Sequence, residues 1–271
     1  MKGEILCLKI KVGKKSKNQK PPRHPRSKTE PEYDGSMRIL FLLAIFVCMV
    51  GWFNDKSINP QPSRFITDVS WPNCGQPLPQ SPSGIIIGIT GGLAFKPNPC
   101  LMQETTASRW VSVYANTGFP EGHKNASRFP NSPRHCSTKD ESCLAYNYGY
   151  NSGVYDFDQA LISGVLAKNW WVDVETENSW SDNPHINRTV LQGVVDALNP
   201  RVGNGLVGFY SYPAQWNIIT GSWKNDYPAW VATGSSQTKD AVNACSQPGF
   251  NGGPVELTQY TSWLDVDYMC R

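Results

Sequence analysis

Short apolar runs alternate with segments of helical periodicity in the part of the chain that follows Phe53. In the helical segments, pairs such as Leu161-Ile162 and Val165-Leu166 recur at a spacing that places them on one helix face. Apolar strands separated by such helices predict a parallel sheet covered by helices. The predicted strands are 65–70, 84–90, 110–116, 170–175, 206–212, 229–232 and 255–260, and the predicted helices are 157–168, 186–198, 213–219 and 239–244.

Polar side chains collect at the carboxyl ends of these predicted strands. In a closed barrel the strand ends meet at one mouth, whereas in an open sheet they spread along an edge. We therefore predict an α/β fold that closes into a barrel. An open nucleotide-binding sheet is disfavoured because the glycine-rich stretch 88–92 matches neither common phosphate-loop pattern. The strand-end residues are Asp68, Asn116, Asp173, Glu175, Ser211, Gln259 and Tyr260.

Two carboxylates, Asp173 and Glu175, end the fourth predicted strand. Side chains alternate along a strand, so both acids should project from one face, with Val172 and Val174 on the other. Their backbones should lie about 6.6 Å apart, close enough for one anion to raise the pKa of the other. This pattern suits a general acid beside an ionised helper, the arrangement that glycosidases use. Alternatively, the acids cap the next helix or form ion pairs.

Six cysteines follow the longest apolar run of the chain. An even number in an exported chain indicates disulfides, although six thiols allow fifteen connectivities. We favour sequential pairing. The sequence contains no CxxC spacing and its four histidines lie in loop-like or helical contexts, so we expect no metal site. The expected pairs are Cys74 with Cys100, Cys136 with Cys143, and Cys245 with Cys270.

The N-terminal part differs from the rest in charge and hydropathy. Residues 1–36 hold ten of the 25 basic residues but only four of the 22 acidic ones, together with several prolines, and we predict that they are disordered. Because the remainder is net acidic, nucleic acid is not an expected partner.

Fifteen residues without charge, Ile39–Phe53, follow the basic segment. As a helix they would reach about 22 Å, less than the roughly 30 Å of a hydrocarbon core, which fits a secretory signal. Residues 1–36 would then be an upstream extension from a mis-assigned start. The alternative is a basic cytoplasmic tail before an uncleaved anchor. We thus divide the chain into residues 1–36, a signal or membrane anchor at 37–53, a linker at 54–64 and a barrel domain at 65–271.

The order of short motifs over Phe65–Cys270 resembles that of glycoside hydrolase family 25 lysozymes. The resemblance implies a modified (β/α) barrel with fewer helices than strands. It also implies cleavage of the β-1,4 bond after N-acetylmuramic acid in peptidoglycan. The motifs are Asp68-Val69-Ser70, Trp171-Val172-Asp173-Val174-Glu175, Gly208-Phe209-Tyr210-Ser211, Trp230-Val231-Ala232, Gln259-Tyr260-Thr261 and Asp265-Val266-Asp267.

The resemblance assigns roles to the acids. Glu175 matches the general acid and Asp173 its carboxylate partner. Asp68 matches the acid that ends the first strand, and Asp265 the acid that follows the Gln-Tyr motif. Asp267 stands where the family usually has Asn, so either Asp265 or Asp267 could face the pocket.

Further residues are expected to contact the substrate. Tyr114 and Tyr210 resemble aromatic hydroxyls that line the family's cleft. Sugars stack their C–H faces on rings, and Trp71 and Trp180 each closely follow a strand end, although most tryptophans serve in packing. Strand-end polar residues complete the set of candidates: Asn116, Gln259, Tyr260 and Asp267.

The chemistry can be stated from the residues themselves. Desolvation would raise the pKa of Glu175 and keep it protonated, while Asp173 stays ionised. Of the available routes we favour the one in which the substrate's own acetamido oxygen attacks and Asp173 orients that amide. Glu177, on the same loop, is the rival acid if the register is shifted.

One segment departs from the family pattern. Residues 119–150 are rich in Pro, Asn, Ser and Gly, and we predict an irregular insertion that shapes or closes the cleft. Residues 75–83, where a first helix would lie, also have the composition of a loop.

Two functions follow. The first is a monomeric, cofactor-free glycosidase, secreted or surface-anchored, that acts on peptidoglycan or another N-acetylated glycan. The second is an inactive barrel that binds such a glycan. Clustered carboxylates favour the enzyme, because a binder has no need of groups that repel one another.

Overall fold

The structure, a computed structural model, describes residues 63–78, 83–119, 128–203, 205–261 and 265–271. Residues 1–36, the apolar run at 37–53 and most of the 54–64 linker lie outside these ranges. Within the described part of the chain, no helix combines the length and apolarity needed to cross a membrane.

Eight strands form a closed barrel in chain order. Strands β1 to β7 pair in parallel, and β8 closes the barrel by running antiparallel to both β7 and β1. The strands are β1 Phe65–Val69, β2 Ile85–Gly88, β3 Val111–Asn116, β4 Trp170–Asp173, β5 Val207–Ser211, β6 Ala229–Ala232, β7 Val255–Thr261 and β8 Asp265–Met269.

Five α-helices occur in the described ranges, so the predicted barrel with fewer helices than strands is confirmed. The helices are α1 Leu101–Glu104, α2 Glu141–Ile162, α3 Pro184–Val202, α4 Pro213–Thr220 and α5 Thr238–Ala244, with 3-10 turns at Trp71–Asn73 and Thr105–Ala107.

Alternation along the strands divides the apolar residues into two layers. Trp171 packs inside the barrel with Ile66, Ile86 and Trp230. Val172, the next residue, packs outward among side chains that lie between barrel and helices. Each Val, Leu or Ile buried in this way contributes about 1.5–3 kcal/mol. Because side chains alternate along each strand, the same alternation determines which polar side chains can face the open end of the barrel.

The prediction that residues 119–150 form an irregular insertion is wrong for residues 141–150, which are helical. Helix α2 begins at Glu141, where the Asp140 side chain accepts a hydrogen bond from Cys143 N at 3.0 Å. Its first turns resemble a loop in sequence because Asn147 and Gly149 interrupt the buried apolar residues. Strand β8 was not predicted at all, since Asp265 and Asp267 interrupt its apolar pattern.

The predicted sequential disulfides are confirmed. Cys74 pairs with Cys100, joining the segments that follow β1 and β2. Cys136 pairs with Cys143 at the start of α2. The third pair, Cys245 and Cys270, ties the end of α5 to the residue after β8 and so holds the closing strand.

Helices α2 and α3 approach so closely that glycines form their contact. A Cβ on Gly149 would lie 1.9 Å from Val190 O, and one on Gly193 would lie 2.3 Å from Tyr146 O. Both distances are below any real van der Waals contact, so an added methyl group must force the backbones apart.

We expect Gly149→Ala to lower the free energy of unfolding by about 1–3 kcal/mol or more, because the clash is with backbone rather than with a flexible side chain. Chemical denaturation of purified protein measures the loss. Asp158→Ala on the exposed side of α2 is the control and should change stability by no more than about 0.5 kcal/mol. Equal stability of the two variants would contradict the close packing of α2 and α3.

Candidate active site

A polar cavity of about 220 Å³ opens at the carboxyl ends of the barrel strands. Eight residues predicted for the site border it, together with two that were not predicted to contact a ligand. Among the described residues, no Lys, Arg or His lines it. The lining residues are Asp68, Tyr114, Asn116, Asp173, Glu175, Tyr210, Tyr212, Trp230, Gln259 and Asp265.

Asp173 and Glu175 lie together at this mouth, where the charge of Glu175 helps to raise the pKa of Asp173. Asp173 is the last residue of β4 and is 2% exposed, whereas Glu175 is half-buried beyond the strand end. Backbone contacts hold the segment between them: Val174 N donates to Tyr210 O at 2.9 Å, and the Trp180 indole donates to Glu175 O at 2.8 Å. The pair is thus placed by β4 and fixed from β5 and the following loop.

Asn116 connects β3 to this pair. Its Oδ1 accepts a hydrogen bond from Thr90 Oγ1 at 2.8 Å, and its backbone N donates to the same hydroxyl oxygen at 3.0 Å. The side-chain amide is therefore oriented so that Nδ2 donates to Asp173 Oδ2. Thr90 was not predicted as a site residue, since a lone threonine after a strand carries no distinctive signal.

A second chain of hydrogen bonds crosses the barrel from β5 to β1. The Tyr210 hydroxyl donates to Gln259 Oε1 at 2.8 Å, and Gln259 Nε2 donates to Asp68 Oδ2 at 3.1 Å. Tyr114 hydrogen-bonds to Ser70 beside them. Gly88 leaves room for this ring, because a Cβ there would lie 3.0 Å from the Tyr114 Cζ atom.

The two acids of β8 have different positions. Asp265 borders the cavity and accepts a hydrogen bond from Thr261 Oγ1 at 3.1 Å. Asp267 lies below the cavity, fully buried, where its carboxyl group contacts Asp68 and accepts a hydrogen bond from the Trp230 indole at 2.9 Å. Of the two, Asp265 faces the pocket and Asp267 supports its floor.

Burial and mutual repulsion keep protons on this cluster near neutral pH. Desolvation, followed by repulsion from Glu177, raises the pKa of Glu175 to about 7. Desolvation, followed by repulsion from Asp265, raises the pKa of Asp68 to about 7. The pKa values of the buried partners Asp173 and Asp267 are also raised well above their usual range, chiefly by burial.

The protonation of Asp173 differs from the sequence-based expectation. We expected an ionised carboxylate beside a protonated Glu175. Burial, followed by repulsion from Glu175, raises the pKa of Asp173 well above its usual range, so the ionised form that we expected is disfavoured at this position. Glu175 remains a carboxyl group that can gain or lose a proton close to pH 7.

Three further candidates do not reach the cavity. Tyr260 follows Gln259 on β7 and points to the other side of the strand, where its ring meets Phe65 edge-on at 6.5 Å. Trp180 packs against the outer core and binds the backbone of Glu175. Trp71 follows β1 and is 45% exposed, with Lys96 Nζ 5.3 Å from its ring centroid.

Two aromatic residues of the cavity, Tyr212 and Trp230, were not among the residues predicted to contact a ligand. Tyr212 directly follows the predicted strand-end residue Ser211, which was a usable signal. Trp230 lies inside a predicted strand, and its sequence context gives no way to separate a packing residue from a cavity wall. The described residues contain no group of three His, Cys, Asp or Glu suited to hold a metal ion.

Comparison with known families found no family model that matches this chain. A 65-residue segment, 23% of the chain, is 37% identical to a protein of Dictyostelium discoideum described as "Probable GH family 25 lysozyme 5". That match spans 30% of the relative's length. The local similarity confirms the resemblance to glycoside hydrolase family 25 that the motif order indicates.

Several solved structures are similar to this chain at low sequence identity. A glycosyl hydrolase 25 of Streptococcus pneumoniae gives a TM-score of 0.48 at 14% identity, over 76% of this chain and 86% of that one. A muramidase from Trichobolus zukalii gives 0.45 at 13% identity, over 76% and 92%. The modular autolysin LytC of S. pneumoniae gives 0.49 at 15% identity, over 75% and 45%. With TM-scores below 0.5, these likenesses support no conclusion about activity.

The raised pKa of Glu175 gives a stability prediction. The pKa of Glu175 is about 7 in the folded state and roughly 4.3 in the unfolded state. The stabilisation that comes from protonated Glu175 is therefore fully present below pH 4 and is lost as the pH rises through 7. Glu175→Gln keeps the group neutral. We expect its melting temperature to equal that of the parent near pH 4 and to exceed it by about 2–4 °C at pH 8.

Melting curves between pH 4 and pH 8 measure this difference. Asp182→Asn, which neutralises an exposed acid in the segment before α3, is the matched control and should show no comparable trend. A Glu175→Gln melting temperature that stays parallel to the parent across the range would show that Glu175 is not held in a desolvated acid cluster.

Proposed function

We propose that this protein is a glycoside hydrolase that cleaves β-1,4 bonds of N-acetylated glycans, with peptidoglycan as the main substrate and Glu175 as the general acid. The observation that carries the proposal is the carboxyl group of Glu175, which borders the cavity with a pKa raised to about 7. A general acid works best when its pKa lies near the operating pH.

The composition of the cavity supports catalysis over simple binding. Four carboxyl groups, those of Asp68, Asp173, Glu175 and Asp265, line one small space without a cation among the lining residues. Such an arrangement opposes stability, because each acid raises the cost of ionising the others. A site that only binds a neutral sugar has no need of carboxyl groups that repel one another.

The burial of Asp173 bears on the route. In an inverting enzyme the second carboxylate activates a water molecule that attacks the sugar. Asp173 is 2% exposed and already accepts a hydrogen bond from Asn116, so it has little access to such a water. We therefore favour the acetamido oxygen of the substrate as the attacking group.

In the proposed first step, the acetamido oxygen attacks the anomeric carbon while Glu175 gives its proton to the leaving glycosidic oxygen. The carbon–oxygen bond to the leaving sugar breaks, and a cyclic intermediate forms on the remaining sugar. In the second step, the Glu175 carboxylate takes a proton from water as that water attacks the same carbon and reopens the ring. Asp173, which lies beside Glu175 and is held by Asn116, orients the substrate's amide group.

Aromatic side chains supply surfaces for the sugar rings. Trp230, Tyr212 and Tyr114 border the cavity, and Trp71 is exposed on the segment that follows β1. Sugar C–H faces pack on such rings while hydroxyl groups bond to the polar rim. Asp68, oriented by Gln259, is placed to accept a hydrogen bond from the substrate.

The disulfide bonds are consistent with export from the cytoplasm. Three disulfides tie the barrel, and such bonds persist in oxidising compartments. We propose that the protein acts outside the cytoplasm, as a monomer, on glycan from cell walls.

Substitution of the acid tests the function. We expect Glu175→Gln to lower turnover by about 10²–10⁴-fold, because a general acid contributes on that scale. Release of reducing ends from purified peptidoglycan by the full chain, produced under oxidising conditions, measures the rate. Glu177→Gln removes the rival acid on the same loop and should lower turnover far less than Glu175→Gln, because it removes only a repulsion that raises the pKa of Glu175. Asp182→Asn, which neutralises an exposed acid before α3, is the matched control and should stay within about twofold of the parent.

The two variants also separate the alternatives. Loss of activity in Glu177→Gln with activity kept in Glu175→Gln would reassign the acid. A folded parent that releases nothing from peptidoglycan or chitin oligomers would overturn the catalytic proposal and leave a glycan-binding barrel.

A further inference from the structure

A groove of about 520 Å³ lies at the end of the barrel opposite the acidic cavity. Its lining residues come from the end of α2, the segment between α2 and β4, the end of α3 and the position just before β3. Strands β3 and β4 are parallel, so both begin at this end and finish at the mouth. The length of the strands therefore separates the groove from the candidate active site.

Apolar side chains form much of the groove. Phe157 on α2 stacks on Trp170, the first residue of β4, with ring centroids 6.0 Å apart. Leu161 and Leu166 also line it and are 64% and 89% exposed, and Ile162 beside them is 74% exposed. Among the large hydrophobic side chains of the described residues, Leu166 and Ile162 are the two most exposed. Three such side chains in one short segment exceed the scattered exposure that is normal for a protein surface.

This exposure follows from the way in which α2 ends. The sequence predicts a helix over 157–168 whose apolar pairs share one face, but α2 ends halfway through this range. Gly164 has a left-handed backbone with φ of 70°, and Val165 N donates to Ala160 O at 2.9 Å, the pattern of a helix that ends at glycine. Val165 is buried by this turn, and Leu166 is left outside.

Backbone hydrogen bonds hold the segment between α2 and β4 in place. Lys168 N donates to Val111 O at 2.8 Å, and Val113 N donates to Asn169 O at 3.0 Å. Leu166 is therefore presented by an ordered backbone, so little further order has to be imposed when a partner covers it.

Three basic side chains line the same groove. Arg109 precedes β3, Lys168 precedes β4 and Arg201 lies in the last turn of α3, and all three are exposed. Arg201 Nη1 donates to Ala197 O at 2.6 Å, which keeps this side chain beside the groove. No acid occurs among the described lining residues, and the nearest undescribed residues along the chain, 79–82 and 204, contain no acid in sequence.

The protein itself offers no suitable occupant. The chain enters the barrel at this end, where β1 begins at Phe65, but residues 1–62 hold twelve basic and only five acidic side chains. They do not supply the negative charge that the three cations attract. A second copy docked face to face would bring the same cations together. The charge of the groove therefore favours an external partner that is anionic.

The exposed aliphatic side chains narrow the chemistry of that partner. A polyanion such as nucleic acid would use the cations but not the aliphatic groups. An anionic lipid bilayer uses both, because its phosphate groups lie above acyl chains. Aliphatic side chains enter the boundary between them, while Lys and Arg bind the phosphates.

We call this surface the basal face. It consists of Arg109, Leu161, Ile162, Leu166, Lys168 and Arg201. We propose that the basal face docks the barrel on an anionic membrane. The carboxyl ends of the strands, and with them the acidic cavity, then face away from the lipid.

Binding of the full chain to vesicles tests the apolar part of the face without any need for turnover. The probes are vesicles of equal parts phosphatidylglycerol and phosphatidylcholine, and vesicles of phosphatidylcholine alone. We expect Leu166→Ser to weaken binding to the mixed vesicles by about tenfold, because it removes a side chain that enters the lipid. Ile218→Ser on α4, where the side chain is 69% exposed, is the matched control and should change nothing.

The charged part of the face is tested in the same assay. We expect Lys168→Gln to weaken binding to the mixed vesicles by about fivefold and to leave binding to phosphatidylcholine unchanged. Lys239→Gln, an exposed position on α5, is the control for loss of one charge elsewhere. Because residues 1–62 are the same in every variant, their own affinity for lipid does not affect these differences.

Hydrogen exchange locates the contact. We expect mixed vesicles to slow exchange in peptides that span residues 157–170 and to leave those at the mouth, 173–180, unchanged. Equal binding by the parent, Leu166→Ser and Lys168→Gln, or no binding to vesicles at all, would overturn the proposal.

Two further results would assign the basal face to another occupant and so overturn membrane docking. One is a dimer, seen by sedimentation without vesicles, that Leu166→Ser dissociates. The other is binding of dodecyl phosphate that depends on Lys168 while vesicles do not bind. None of these results bears on the proposed function, since the basal-face variants should hydrolyse a soluble glycan at the same rate as the parent.

Discussion

Closure of the barrel by β8 is the constraint on which the site depends. This strand runs antiparallel between β7 and β1, and its partner register places Asp267 opposite Gln259 on one side and Ile66 on the other. The contact of Asp267 with Asp68 and the indole of Trp230 then joins the start and end of the domain. A disulfide at Cys270 holds the strand in this position. Without closure, the acids of β1 and β8 would not share a mouth with those of β4.

The acid cluster opposes the stability that closure provides. Asp173 and Asp267 are buried in the barrel, where ionisation is costly, and each lies against a second acid that retains part of its solvent contact. Hydrogen bonds from Asn116, Gln259 and Trp230 reduce this cost. The arrangement keeps exchangeable protons at the mouth near neutral pH, which is the property that acid catalysis requires.

Much of the acidic cavity could be predicted from the sequence, because strand alternation is a local rule. An apolar strand that ends in Asp173 and continues to Glu175 places both acids on one side, and the same rule places Asp68 and Asn116. The rule also excludes Tyr260, which follows the inward-facing Gln259. Trp230 and Thr90 were missed because their roles come from contacts with distant strands. Helix α2 was partly missed because its glycines and polar residues serve the contact with α3.

The sequence by itself indicated the barrel and the side of each strand that carries acid, since these follow from periodicity and motif order. Only the tertiary structure decided the disulfide pairs among the fifteen possible connectivities, which acids lie together, and that Asp265 rather than Asp267 faces the pocket. It alone brought Arg109, Lys168 and Arg201 around one groove. These outcomes depend on burial and on distances between residues far apart in the chain, and neither can be predicted from a pattern in the sequence.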